Sequence, residues 1–423
     1  MLIFAIIPII FLILSYKNFK LAFLAYVAFK MLAVSAMCVK YSPPALSVDT
    51  ILNVFFVFEF WRRGYFSHYR NKISEYPFWQ YTCFSLISIG LSTVYSILPA
   101  GIFINSVITT ILDNFMLPVL FWVFISKESD VRVFIRCCIV VFTVACGFGI
   151  FEFVIHKNIF VDFLYNNFPE ELLKGKLIVV GERGGLPRIM SLFVSPNNFI
   201  YGGFISLMIF QFNLLSHKKI SNFTLFFLCT FCLVVLANSR TVLISFLILS
   251  VPIYTNLKSV ITRKIFFVTA IILLSLSSSL YLYMDNITSV LSSSSKSEIE
   301  GSSVQGRAMQ FEGALQLMMQ SPIVGNGIGS IGYFLERGWR WIILGTESIW
   351  MKMMIERGII GILSYLLLFI DIFRRIRPLN IITIFMVIGY LVAHTVSSLP
   401  GFNISFFMIS VMTLYYSNKL IKN

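Results

Sequence analysis

Charged side chains are scarce in this chain. Asp, Glu, Lys and Arg together make up 12% of its 423 residues, whereas hydrophobic residues make up 58%. The mean hydropathy is +0.86, and so little polar surface cannot cover a water-soluble domain of this length. The apolar residues form successive runs of about 15 to 24 residues. These runs do not alternate with polar residues as the strands of a membrane barrel do. We therefore predict an all-α polytopic integral membrane protein.

The apolar runs predict about 12 to 14 transmembrane helices. The first run has no basic residue before it and no small-residue cleavage site after it, so we interpret it as a helix rather than a signal peptide. The predicted spans lie at residues 2–16, 19–39, 45–61, 78–98, 102–125, 131–155, 197–215, 221–238, 241–257, 264–284, 349–373, 379–398 and 402–418. They divide the chain into amino-terminal helices at 1–155, a first loop at 156–196, central helices at 197–284, a second loop at 285–348 and carboxy-terminal helices at 349–423.

The net charge of +14 would suggest a nucleic-acid partner for a soluble protein. In this chain, however, the basic residues cluster in the short segments between spans, and those segments share one face if the spans alternate. The positive-inside rule makes that face cytoplasmic. The two long loops at 156–196 and 285–348 then lie together outside the inner membrane. We expect contact with membrane lipids and no nucleic-acid partner.

Cysteine and histidine are too few and too dispersed for a disulfide framework or a metal site. The seven cysteines lie in or beside predicted spans, and the four histidines lack the spacing of metal ligands. We predict neither a metal nor another cofactor. The sequence also has no internal repeat, which weighs against many secondary transporters because those carry paired halves.

Lys30 is the unusual charge of the amino-terminal half, because it falls inside the second predicted span. An unpaired charge at that depth costs roughly a few kcal/mol. One interpretation places Lys30 on an ion path with Glu59 or Asp113. The other is an interhelical ion pair that fixes packing, and we favour it.

Arginines stand near the predicted starts of two central spans. Arg183 and Arg188 precede the seventh span, which begins at Asn197. A guanidinium offers a planar fork of donors, and helix N-terminal amides add positive partial charge, so phosphate oxygens are natural partners. Contact with lipid headgroups is nearly as good an interpretation for Arg183. Arg240 lies in a very short turn, where it either snorkels outward or, as we favour, faces a polar cavity.

The second long loop indicates an enzyme or a receptor rather than a bare channel, because a protein that only spans the membrane has no need of a long polar segment. Residues 307–320 have the period of an amphipathic helix at a membrane surface, with an apolar side formed by Phe311, Leu315 and Met318 or Met319. The glycine-rich run at 325–329 follows no strand, so we discard a dinucleotide-binding interpretation. These glycines permit a tight turn or a close approach.

Glu347 lies at the start of the eleventh predicted span. Its carboxylate is placed to accept a proton from an acceptor hydroxyl, although a favourable charge at a helix start explains it equally simply. Lys352 and Glu356 are spaced i and i+4, which predicts an ion pair between them. Gly358 and Gly361 predict a close helix contact.

Taken in order, these motifs resemble those of the O-antigen polymerase and ligase superfamily over about the second half of the chain. The matching segments are 188–197, 238–241, Gly306-Arg307 with 321–329, and Glu347-Ser348 ahead of 356–361. The resemblance implies a GT-C-like fold and a metal-independent glycosyltransferase. Such an enzyme works at the periplasmic face of the bacterial inner membrane on oligosaccharides carried by undecaprenyl pyrophosphate.

The resemblance also implies roles for individual residues. Arg188, Arg240 and Arg307 match the positions that hold the lipid pyrophosphate, and stabilising this leaving group is the electrostatic work that the transfer requires. Arg307 and Glu347 are the candidate catalytic residues. The candidate substrate-binding residues are Arg183, Arg188, Asn197, Arg240 and Arg307.

Ligases of the superfamily usually carry His-Asn where this chain has Glu347-Ser348, so the departure favours a polymerase that joins repeat units into O-antigen or a related surface polysaccharide. A ligase that transfers polysaccharide to lipid A-core is the first alternative. A polysaccharide transporter or flippase without bond-forming chemistry is the second. Family analogy adds a chain-length regulator protein as a partner.

Overall fold

The computed structural model of the chain describes residues 2–32, 40–41, 46–167, 182–183, 186–193, 195–216, 230, 233–234, 236–237, 239–256, 304–339, 343, 348–375, 381–396 and 402–422. Helices dominate these residues. The strands among them are two antiparallel pairs, Lys40–Tyr41 with Leu46–Ser47 and Glu182–Arg183 with Leu186–Pro187. The predicted all-α membrane class is confirmed.

The amino-terminal helices pack around an aromatic core in which Phe56, on α3, meets the rings of Phe19, Phe23 and Tyr26 on α2. Two helical stretches of this region, Phe103–Phe124 and Glu128–Ile155, are long and apolar enough to span a membrane. The elements are α1 (Leu2–Lys17), α2 (Phe19–Leu32), α3 (Val48–Arg62), α4 (Tyr65–His68), α5 (Arg70–Ser74), α6 (Trp79–Val94), α7 (Ala100–Ile111), a π-helical turn (Leu112–Met116), α8 (Leu117–Phe124), α9 (Glu128–Ile155) and α10 (Ile159–Asn167).

The second half of the chain builds the helices that surround the predicted site. Its elements are a 3₁₀ turn (Pro196–Phe199), α11 (Ile200–Ser216), α12 (Arg240–Asn256), α13 (Val304–Met319), α14 (Ser330–Phe334), a π-helical turn (Leu335–Trp339), α15 (Ile349–Arg375), α16 (Ile381–Val396) and α17 (Phe402–Lys422). Close packing among them depends on small residues. A Cβ at Gly203 of α11 would lie 3.0 Å from the Phe246 ring of α12, and one at Gly389 of α16 would lie 2.8 Å from Leu249 of the same helix.

The outer faces of several helices are apolar, as expected in lipid. In α9, Ile150, Phe151 and Val154 are all exposed, although a water-soluble helix would bury them. Within the described residues, three helical stretches are long and apolar enough to cross a membrane: Phe103–Phe124, Glu128–Ile155 and Ile349–Arg375. The predicted span at 264–284 and most of the one at 221–238 lie outside the described residues. The count of 12 to 14 therefore stays a prediction.

The predicted surface helix at 307–320 is present as α13. Phe311, Leu315 and Met319 form an exposed apolar stripe along it. The opposite side buries Ala314 and Leu317 in a small core with residues of α14 and α15. An apolar stripe that faces away from the protein is the arrangement of a helix lying in a membrane interface.

Lys30 makes the interhelical contacts that we favoured. Its Nζ lies 2.6 Å from Asp49 Oδ1 and 2.7 Å from Asp113 Oδ1, and Asn53 Nδ2 donates to the same Asp113 oxygen at 2.6 Å. Glu59 is not part of this group, because its carboxylate pairs with the next turn of α3 through Arg62 and Arg63. The three residues of the hypothetical ion path therefore form two separate clusters.

Candidate active site

Two of the predicted arginine segments meet at one amide oxygen. Arg188 Nη2 donates to Asn197 Oδ1 at 3.4 Å, and Ser239 Oγ donates to the same oxygen at 2.5 Å. Ser239 directly precedes α12, whose first residue is Arg240. Segments more than 40 residues apart in sequence are thus joined through Asn197. The backbone of Arg240 belongs to this junction, whereas its side chain lies outside the described residues.

A buried carboxylate fixes the segment that carries Arg188. Glu152, near the end of α9, is 5% exposed. Its oxygens accept from the Met190 amide at 3.2 Å and from the Ser191 amide at 2.5 Å. Ser191 has a positive φ of 55°, which few non-glycine residues adopt. The carboxylate stabilises this turn because it satisfies two amides that the unusual backbone leaves outside regular secondary structure.

The same turn is fixed from its other side by α10. Asn158 Nδ2 donates to the Ser191 carbonyl at 3.0 Å, and its Oδ1 accepts from the Val161 amide at 3.0 Å. Asn158 therefore caps the start of α10 and binds the Arg188 segment at once. Hydrogen bonds from both neighbours leave the segment little freedom, so Arg188 is presented from a rigid support.

A second structural unit forms where the glycine-rich run meets α15. Gly325, Gly327 and Gly329 all have positive φ values, of 75°, 100° and 88°. A Cβ on Gly325 would lie 2.3 Å from the Arg357 backbone nitrogen, and one on Gly327 would lie 2.3 Å from Ser96 Oγ. Only glycine fits these positions, because both the conformation and the space exclude a side chain. The predicted tight turn and close approach are confirmed.

The glycine run is hydrogen-bonded along α15 where that helix is interrupted. The amides of Asn326 and Gly327 donate to the carbonyls of Ile355 and Glu356, at 2.9 and 3.1 Å. Beyond the interruption, the Ile359 amide donates to the Pro322 carbonyl at 2.9 Å. The run thus supplies partners for backbone groups that a continuous helix would satisfy itself.

Gly358 causes the interruption, with φ 59° and ψ −152°. A Cβ there would lie 2.5 Å from the Pro322 carbonyl oxygen. The sequence predicted one helix over 349–373 and a helix contact at its glycines. That prediction is wrong in detail, because Gly358 divides α15 into two arms and its close neighbour is a loop.

The predicted ion pair between Lys352 and Glu356 is also wrong. Glu356 is 3% exposed, and its Oε1 accepts from the Gly329 amide at 3.0 Å. An i, i+4 pair on a solvated helix contributes only about 0.2–0.5 kcal/mol. Satisfying a buried carboxylate and a half-buried amide together outweighs it, because each group would otherwise be left without a partner.

A polar and aromatic cluster lies beside the two arms of α15. The hydroxyls of Tyr365 and Tyr390 both donate to Asn403 Oδ1 at 2.7 Å. Trp350 Nε1, in the first turn of α15, donates to Thr395 Oγ1 at 3.1 Å. The cluster therefore joins both arms of α15 to the end of α16 and the start of α17. His394 lies next to Thr395 at that end of α16.

Aromatic contacts link this cluster to the Asn197 junction. The His394 ring stacks on Phe402 with centroids 4.7 Å apart, and Phe402 meets Tyr201 at 5.5 Å. Tyr201 lies one turn after Asn197 and faces Phe193 at 6.2 Å. The two halves of the candidate site are therefore connected through the buried core of the bundle.

Besides Arg240, three predicted site residues are placed incompletely. Arg183 belongs to the hairpin just before Arg188, and Arg307 belongs to the first turns of α13, which packs on the first arm of α15. The side chains of both arginines lie outside the described residues. Glu347 also lies outside them, one residue before the described Ser348. Their roles stay predictions.

Sequence reasoning gave no role to three buried groups that shape this region, Glu152, Arg357 and His394, and gave Glu356 the wrong partner. A signal was present for Glu152, because an acidic residue within an apolar span is a functional-site hypothesis by default. Arg357 and His394 carried the same signal. Nothing local indicated the partner of Glu356, since that partner is a backbone amide 27 residues away.

Comparison with known families supports the resemblance that the sequence motifs indicate. A family model described as O-antigen ligase matches residues 225–366, a segment that contains Arg240, Arg307, the glycine run and the break in α15 at Gly358. The match supports membership of the O-antigen polymerase and ligase superfamily. A search of curated proteins gave no match. The family covers both polymerases and ligases, so the match suggests glycosyltransferase-like chemistry without choosing between them.

Proposed function

We propose that this superfamily member is a polymerase of surface polysaccharide, working at the periplasmic face of the bacterial inner membrane. It transfers a growing glycan from one undecaprenyl pyrophosphate carrier to a new lipid-linked repeat unit. The observation that carries this proposal is the Asn197 junction, where the Arg188 and Arg240 segments meet. Convergent arginine segments suit a diphosphate because the leaving group develops negative charge as it departs.

The transfer makes one bond and breaks one. A sugar hydroxyl of the acceptor attacks the anomeric carbon of the donor glycan, and the bond from that carbon to the phosphate oxygen breaks. The diphosphate leaves with its lipid, neutralised by Arg188, Arg240 and Arg307, with Arg183 and Asn197 completing the binding surface. The hydroxyl proton passes to a base, for which we propose Glu347. No step requires a metal.

The charge arrangement gives the transporter alternative less support. A transport path calls for ionisable groups grouped along the membrane. Lys30 and Asp113 are instead bound to each other, and Glu59 is paired separately with Arg62 and Arg63. The ligase alternative keeps a specific argument in its favour, because the matching family model is itself described as O-antigen ligase.

A deletion strain complemented with variants of the chain tests the proposal. We expect Arg188→Ala, Arg240→Ala and Arg307→Ala to lose the ladder of long glycans on lipopolysaccharide gels. Removing one donor to developing charge typically costs about 100-fold to 1,000-fold in rate. Arg374→Ala is the matched control, because Arg374 is exposed at the far end of α15. Long ladders from all three variants, at normal protein levels, would contradict the proposal.

The banding pattern also separates the two members of the superfamily. Loss of a polymerase leaves lipid A-core bearing a single repeat unit, because ligation continues. Loss of a ligase leaves core without any repeat. A deletion strain that shows bare core would transfer the proposed arginine roles to a ligase.

A further inference from the structure

Two buried polar side chains have unsatisfied hydrogen-bonding groups, Arg357 at the break in α15 and His394 in the cluster beside its arms. Arg357 is 4% exposed, and its Nε has no hydrogen-bond partner among the described residues. His394 is 1% exposed, and within the same part of the chain neither of its ring nitrogens has a partner. Most buried polar groups in native proteins are paired, so unpaired ones call for an explanation such as a ligand.

The break turns α15 into an elbow with Arg357 at its apex. Trp350 and Tyr365 lie on opposite arms, yet their ring centroids are 6.0 Å apart. In a straight helix the same two residues would be separated by about 22 Å along the axis. The arms therefore fold toward each other. A Cβ at Gly361 would lie 2.2 Å from Arg357 Cβ, so this glycine leaves the space that the arginine side chain occupies.

The described charges around the elbow are the cations Arg357 and Lys352 and the carboxylate of Glu356. The Arg357 guanidinium lies within range of a Coulomb interaction with the hydroxyls of Tyr81 and Tyr365. The Lys352 ammonium lies within the same kind of range of the His394 ring. The adjacent carboxylate of Glu356 is directed to the Gly329 amide. Among the described ion pairs, Arg357 and Lys352 have no carboxylate partner. A buried guanidinium in a membrane protein needs a compensating anion.

We propose that the elbow site, formed by Lys352, Arg357 and His394, binds the phosphate oxygens of the second lipid-linked substrate. This inference rests on the proposed polymerase function. Such an enzyme handles two polyprenyl diphosphates at once, the donor and the acceptor, whereas the Asn197 junction accounts for only one. His394 of the elbow site is linked to that junction through the rings of Phe402 and Tyr201.

Phosphate oxygens have two sources in a membrane, a polyprenyl diphosphate and the headgroup of an ordinary phospholipid. Titration of the purified full chain in nanodiscs with undecaprenyl diphosphate separates them. In nanodiscs of phosphatidylcholine, and again with added phosphatidylglycerol, we expect calorimetry to give two bound diphosphates per chain. A value of one under both conditions would overturn the proposal, and a fall from two to one on adding phosphatidylglycerol would assign the elbow to phospholipid and overturn it too.

Arg357→Gln supplies the matched variant. We expect its stoichiometry to fall from two to one, while the exposed Arg374→Gln on the same helix keeps two. A value of two in folded Arg357→Gln would overturn the proposal. Since this variant could fail to fold, the wild-type chain provides an independent measurement. A polyprenyl diphosphate with a diazirine beside its phosphates should label the first arm of α15 as well as the Arg188 segment, and labelling confined to the latter would overturn the elbow site.

The outcomes for the two proposals are distinguishable. Two bound diphosphates in a chain that makes no polymer in any assay would refute polymerisation and leave the elbow site intact. Long polymer made by a chain that binds one diphosphate would do the reverse.

Discussion

Two buried charged clusters in this molecule have opposite electrostatic arrangements. Around Lys30, the ammonium lies within 2.7 Å of two carboxylates, and Asn53 bonds one of them. At the elbow site, Arg357 and His394 have unsatisfied nitrogens among the described residues. A buried charge that is compensated by other side chains of the protein is typical of a structural contact between helices. Missing compensation is the arrangement of a binding site, because the ligand then supplies the partner.

The largest expected effect is on the compensated cluster. Lys30→Met would leave Asp49 and Asp113 without their shared cation, and breaking a buried pair in this way costs about 3–5 kcal/mol. We expect that loss in the free energy of unfolding, measured by denaturant titration in detergent micelles. The exposed Lys17→Met is the control and should change stability by less than about 0.5 kcal/mol. Normal stability of Lys30→Met would contradict the structural role that we assign to the Lys30 cluster.

The next effect concerns the break that creates the elbow. Gly358→Ala should lower the free energy of unfolding by roughly 2–3 kcal/mol, because the backbone conformation excludes a Cβ and the Pro322 oxygen would lie 2.5 Å from it. Gly90→Ala, in the open interior of α6, is the matched control. It should gain about 0.5–1 kcal/mol from helix propensity. Equal thermal shifts in the two variants would argue against a required break.

Glu152→Gln tests the support of the Asn197 junction. The amide keeps the shape of the carboxylate but offers one acceptor oxygen to the Met190 and Ser191 amides, so we expect a loss of about 1–2 kcal/mol in stability. Because Arg188 is presented from this turn, the KM for the lipid-linked donor should also rise. Glu75→Gln, on an exposed residue, should change neither quantity. An unaltered KM in Glu152→Gln would limit that residue to a structural role.

The smallest expected change in stability belongs to the elbow site. Replacing an uncompensated buried charge by a hydrophobic residue removes the desolvation penalty of that charge. Arg357→Met should therefore alter the free energy of unfolding by less than about 1 kcal/mol, while polymer synthesis per folded molecule falls. A loss in stability as large as that of Lys30→Met, with normal synthesis, would make Arg357 a structural residue and end the comparison.

The extent to which the site could be predicted depends on the kind of contact. The amphipathic helix α13 follows from the spacing of Phe311, Leu315 and Met319, because helical periodicity is a local property. The tight turns of the glycine run were also predictable, because the backbone freedom of glycine is a local property too. The partner of Glu356 was not predictable, because its carboxylate could bind either Lys352 or a group brought close by folding. A neighbour four residues away is visible in sequence, whereas the Gly329 amide that the carboxylate binds is close only after folding.

The sequence by itself determined that this is an all-α membrane protein with the motifs of one superfamily, because apolar run length and motif order are written along the chain. Only the tertiary structure decided which charges are compensated. Asp49 and Asp113 reach Lys30, and Ser239 reaches Asn197, through contacts between distant helices. Such pairings matter most for buried charges, because a charge inside a low-dielectric core is stable only when another group of the chain or a ligand pairs with it.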